Sequence, residues 1–262
     1  MDNILDLYAN TDVWLLIFVR IVAVLSLFPI ILETKVPATV VGMLSIVLTM
    51  IVFFTIPQGN VSYTNTVLGY SLLVIKEMLI GLVLGFGVLI YFQVLNFTGQ
   101  LWSNQGGLSM SQFYDPTLGA QIPVLGRFLT LGFSTIFVLS GGYHYFISAL
   151  IKTFEYIPLG REFFNPSISI TILDAVAIFF ELGFKLATPI LGTILLIDVG
   201  LGILARTVPQ MNMFVIGLPL KLLILILLLI TIVNYVPTYG NIIIDHMKNT
   251  YFDLLKGLMN GP

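Results

Sequence analysis

Apolar runs of 18 residues or more recur along this chain, and the stretch Val67 to Leu95 alone is far longer than a buried helix of a soluble domain needs. A run of that kind is the signature of a membrane-spanning helix, because about 20 apolar residues in helical form match the thickness of the hydrocarbon layer. Only 9% of the residues are charged and 58% are hydrophobic, against about 25% charged in an average soluble domain. The mean hydropathy is +1.03. The chain therefore reads as an all-α integral membrane protein with about six hydrophobic helical segments.

In order, the expected spans are Val13 to Leu32, Ala38 to Ile56, Val67 to Leu95, Val124 to Ile151, Thr171 to Ala205 and Met213 to Val236. Phe28-Pro29 marks the end of the first or a kink, since proline lacks an amide proton and crowds the preceding turn. Pro189 divides the fifth, which predicts a kinked helix or two half-helices. Residues 152 to 169 read as a solvated loop. From Pro237, Met247, Tyr251, Leu254, Leu255 and Leu258 recur at helical spacing opposite Lys248, Asp253 and Lys256. That pattern predicts an amphipathic helix at an interface or against a partner.

The segment Asn96 to Gln121 interrupts this scheme: it holds one charge, Asp115, and is rich in Gly, Gln, Ser and Asn. Irregular backbone between spans is tolerated where protein buries it or where it lines a watery cavity. The expectation is a re-entrant or plugging loop; the alternative is an extramembrane connection. The amino-terminal MDNILDLYANTD has no basic residue before Arg20, unlike a cleavable signal peptide, so the first apolar run is expected to remain in the mature protein. With the amino terminus outside, outer loops carry four Lys and Arg (Lys152, Arg161, Lys248, Lys256) against two inside (Lys35, Arg206), which favours a cytoplasmic amino terminus by a narrow margin.

Ionisable side chains at membrane depth are costly, and each is a functional candidate. They are Arg20, Lys76, Glu77, Arg127, Asp174, Glu181, Lys185, Asp198, Arg206 and Lys221. Glu181 and Lys185 have the spacing and order of a helical ion pair. Lys76 and Glu77 must point at different neighbours. An ion relay is one reading; charges that join helices or face an aqueous lumen is the favoured one. Gly81 and Gly85 share a helix face and allow close approach of a neighbouring helix.

Catalytic and metal-binding patterns are lacking. Ser109 with His144 does not form a serine-protease motif, the two histidines are far apart, and there is no cysteine. No cofactor or metal is expected. A net charge of −2 without a basic cluster gives no reason to expect nucleic acid.

Several stretches together resemble the flagellar type III export-gate family FliR (FliR/SctT) and its injectisome relatives. They are Arg20-Ile-Val-Ala-Val with Phe28-Pro29; Lys76-Glu77 leading to Gly81 and Gly85; Gly99-Gln100 through Gly106-Gly107 to Asp115-Pro116; and Leu201-Gly202 to Arg206. The most specific is Pro209-Gln210-Met211-Asn212, followed by Phe214, Gly217, Pro219 and Lys221. Gly217-x-Pro219 resembles the flagellar form more than the injectisome form. The resemblance implies a structural and gating subunit, not an enzyme, in the bacterial inner membrane at the flagellar basal body. It implies a single copy of the chain, folded as tilted helical hairpins, in a hetero-oligomeric ring with several FliP and FliQ, with FlhB wrapped around the gate and FlhA nearby. Unfolded flagellar proteins would be its cargo and lipid its surroundings. In that scheme residues 1–151 are FliP-like and include a plug loop at 96–123, residues 152–236 are FliQ-like, and residues 237–262 are the amphipathic tail. The plug would be Gly106, Gly107, Leu108, Ser109, Met110, Ser111, Gln112 and Phe113, with Asp115-Pro116 fixing its returning end. The buried charges would join subunits or hairpins. A solute transporter acting alone is the rival reading, weakened because Pro189 has no counterpart in the first half.

Overall fold

The computed structural model describes residues 11–34, 36–55, 66–108, 124–160, 166–210 and 212–259. Among these residues the regular structure is helical throughout: α1 Thr11–Ser26, α2 Pro29–Glu33, α3 Ala38–Thr55, α4 Val67–Gln105, α5 Val124–Leu139, α6 Gly142–Tyr156, α7 Pro166–Thr207, α8 Met213–Ile232 and α9 Val236–Met259. A single 3-10 turn, Val233–Tyr235, separates the last two. Among the described residues, four helical stretches are long and apolar enough to cross a membrane: α3, α4, α7, and the stretch from Val215 to Met259 that runs through α8 and α9. The shorter α5 and α6 qualify only as a broken pair.

Several expected boundaries move. The first span is two helices, α1 and α2, because Pro29 starts a new helix at its first position, where a missing amide proton costs nothing. The fourth breaks at Ser140-Gly141, with Gly141 at φ 74°. That left-handed backbone is accessible to glycine at little cost. The third and fifth extend: α4 has 39 residues and α7 has 42, lengths of about 58 and 63 Å at 1.5 Å per residue, twice a bilayer core of about 30 Å. Pro189 lies inside α7 without splitting it into two elements. The expected loop at Asn96 is, as far as Gln105, the last quarter of α4.

Contacts divide the chain into two compact units. The first comprises Met1–Ile90, Gly141–Val176 and His246–Pro262. Here α1 packs on α3, and Leu16, Ile17, Ile21 and Val24 of α1 and Ile80, Leu84 and Val88 of α4 are buried. Gly81 and Gly85 meet α1 so closely that a Cβ at Gly81 would stand 2.6 Å from both the Ala23 Cβ and the Arg20 carbonyl oxygen. The apolar face of α9 (Met247, Tyr251, Leu254, Leu255 and Leu258) is buried within this unit, with Leu254 against Gly87 and Ile168 against Gly257. The chain itself covers the face that its spacing marks for an interface.

The second unit comprises Tyr91–Ser140 and Ala177–Asp245. The last turns of α4 are its centre, with Trp102 fully buried. Gly99 crosses Gly126 of α5 backbone to backbone. Thr98 donates to the Gly183 carbonyl at 3.2 Å and Trp102 Nε1 to the Ala187 carbonyl at 3.3 Å, both on α7. Phe97 packs edge-to-face against Phe180 and Phe184 and at a tilt against Phe179. Small residues at the crossings and side-chain hydrogen bonds to carbonyls are the usual cement between apolar helices, where lipid supplies no hydrophobic drive for association.

Candidate functional site

Two polar sites interrupt these apolar interiors, one in each unit. In the first, Arg20 of α1 donates through Nε to Glu77 of α4 at 2.6 Å, and both side chains are fully buried. Its Nη1 donates to the carbonyls of Thr153 at 3.3 Å and Ile157 at 3.0 Å, at the end of α6. The Thr153 carbonyl also accepts from the Ile157 amide at 2.8 Å, but both carbonyls lie at the end where a helix runs out of amide partners, so Arg20 is a cationic cap on the negative end of α6. Glu77 accepts from the Gly160 amide at 3.0 Å, and the guanidinium lies 4.5 Å above the Phe154 ring. The close approach at Gly81, one turn beyond Glu77, brings the two charges within reach. Five interactions thus engage this buried pair, although Arg20 Nη2 has no hydrogen-bond partner among the described residues; such additional contacts are what offset the desolvation of a buried pair.

In the second unit, Lys221 of α8 pairs with Asp198 of α7, and both side chains remain partly exposed, at 22% and 36%. They line a cavity of about 310 Å³ with Asn104 and Gln105 at the end of α4, Gly107 just beyond it, and Gly202 and Gly217. Asp198 and Lys221 lie at similar distances in sequence from Pro209, so the hairpin of α7 and α8 sets them opposite each other. A Cβ on Gly217 would come within 3.0 Å of Leu201 across that hairpin. A third pair, Glu181 with Lys185, lies one turn apart on α7 with both side chains more than half exposed.

The remaining candidates are scattered. Lys76 is half-buried, while Arg127, Asp174, Arg206, Pro209, Gln210, Asn212 and Pro219 are exposed. Gly106 is buried, and Gly107, at φ 81°, turns the chain after α4. Ser109, Met110, Ser111, Gln112, Phe113, Asp115, Pro116 and Met211 lie outside the described residues. Among those described, no three His, Cys, Asp or Glu side chains could together hold a metal ion. The partners of the Arg20–Glu77 pair, Thr153, Ile157 and Gly160, carry no sequence signal because they contribute backbone atoms. Trp102 does carry one: Leu95, Thr98, Trp102 and Gly106 continue the helical spacing of α4 into the polar stretch.

A multi-pass helical membrane protein, built on charge pairs between helices and glycine crossings, is the class this architecture defines. The chain matches the family of bacterial export proteins, family 1, over residues 12–247, and belongs to it. It is 29% identical to the flagellar biosynthetic protein FliR of Escherichia coli (strain K12) over 97% of this chain and 94% of that protein. Identity to FliR of Bacillus subtilis (strain 168) is 31%, over 90% of each chain. It is also 29% identical to the surface presentation of antigens protein SpaR of Shigella sonnei, over 72% of this chain and 75% of that protein.

Proposed function

We propose that the chain is a structural and gating subunit of the flagellar type III export gate, a multi-pass protein of the bacterial inner membrane that lines and closes the path of unfolded flagellar proteins. One observation carries this reading: the flagellar relatives match almost from end to end. The injectisome alternative has the shorter match to SpaR. In this reading a single copy assembles with FliP and FliQ, and FlhB and FlhA stand nearby. Residues 1–151 take the FliP-like place, 152–236 the FliQ-like place and 237–262 the tail. The stretch from Gly106 to Pro116 contributes to closing the channel, and the glycines at its start supply backbone freedom. The charge pairs hold helices together and do no chemistry on cargo.

Deletion of the gene in its source bacterium tests the proposal. The expected result is loss of swimming and of secreted flagellar subunits, both restored by a plasmid copy. Normal flagellar secretion in the deletion strain overturns it.

A further inference from the structure

We infer that the cavity beside the Asp198–Lys221 pair is an aqueous vestibule within the membrane-spanning part of the chain, admitting water and small hydrophilic solutes rather than lipid tails. It rests on the multi-pass architecture and not on the gating role. The cavity measures about 310 Å³, room for on the order of ten waters. The Asn104 and Gln105 amides and the ion pair form its polar wall, and Leu201, Ala205 and Leu218 line the larger, apolar remainder. Acyl chains offer such groups no hydrogen bond, whereas water satisfies them. The space is open: Gly202 lines it, and a Cβ built there finds no atom within 4 Å. The contrast with the first unit decides the matter. Arg20 and Glu77, sealed from any solvent, are enclosed by further hydrogen bonds and a ring. Asp198 and Lys221 line the cavity and keep part of their surface exposed, and charged surface between apolar helices calls for solvation by water.

The chain contains no cysteine, so single-cysteine variants report without background. Gly202→Cys and Asn104→Cys, both lining the cavity, would be treated with a membrane-impermeant sulfonated methanethiosulfonate in cells and in inverted membrane vesicles carrying the full chain with its own partners, so that the reagent is offered from both faces. The cysteine thiolate attacks the reagent's sulfur, forming a mixed disulfide and releasing methanesulfinate. Leu196→Cys, on the same helix and 75% exposed on an apolar flank, is the reference. Only a thiolate reacts, and each unit by which an apolar setting raises the thiol pKa removes about nine-tenths of it. Gly202→Cys and Asn104→Cys should label on the order of tenfold faster than Leu196→Cys. Labelling no faster than the reference, with ready reaction toward a permeant apolar maleimide, would show lipid in the cavity and overturn the inference. Protection from both reagents would show a protein segment there and overturn it equally. The readout is taken on this chain alone, so it stands or falls separately from the export assay.

Discussion

Arg20 and Glu77 are 57 positions apart in sequence and meet at 2.6 Å in a fully buried ion pair that also caps α6 and holds the turn after it. Removing one partner strands the other charge without solvent. Glu77→Gln or Arg20→Ala should therefore cost about 3–5 kcal/mol, read as loss of the full-length chain from membranes and a lower unfolding temperature in detergent. Exchanging the two residues should not rescue the fold, because an arginine at position 77 cannot reach the Thr153 and Ile157 carbonyls in the same way. Rescue by the exchange would show that charge alone matters.

The pair at Asp198 and Lys221 should behave differently. Its side chains are partly exposed, so solvent screens the loss of either one. Asp198→Asn should cost about 1 kcal/mol or less, and the double variant with Lys221→Gln should recover most of it. A cost as large as that at Glu77 would place this pair in a sealed interior.

Gly81 is where α4 and α1 come closest, and a methyl group there would press on the Arg20 carbonyl and Ala23. Gly81→Val should destabilise by about 1–3 kcal/mol through overpacking and weaken the ion pair one turn away. Gly42→Ala is the contrast, since nothing lies within 4 Å of a Cβ there. It should be neutral or gain about 0.5–1 kcal/mol in helix stability. Thermal unfolding of both variants in the same detergent checks the difference.

Trp102 anchors the end of α4 in the second unit. Trp102→Ala should cost about 3–5 kcal/mol from the cavity it leaves, whereas Trp102→Phe should cost less than half as much, losing mainly the hydrogen bond to the Ala187 carbonyl. Equal losses would mean that the indole is not packed as described.

What the sequence makes legible follows from how local each cause is. Apolar runs of helical length identify a membrane protein directly, and the spacing of Glu181 and Lys185 is local to one helix. The Arg20–Glu77 pair and the glycine crossings depend on which helices meet, information that no single stretch contains. Asn96 to Gln105 reads as loop because its polar residues lower the hydropathy. Inside a bundle, Thr98 and Trp102 find carbonyl partners on α7, and the helix continues. Gly141 reads as part of a span until its positive φ is seen. At Pro189 the opposite holds: a residue that breaks many helices is accommodated within α7.

The central claim is that this chain belongs to a hetero-oligomeric export gate, and the most direct test is assembly. The chain, tagged, would be co-expressed with FliP and FliQ from one operon, purified through its tag and weighed by native mass spectrometry. The account predicts a defined complex holding one copy of this chain with several FliP and FliQ. A monomer or homo-oligomer with no FliP bound would contradict it and return the charge pairs to candidacy as a solute pathway.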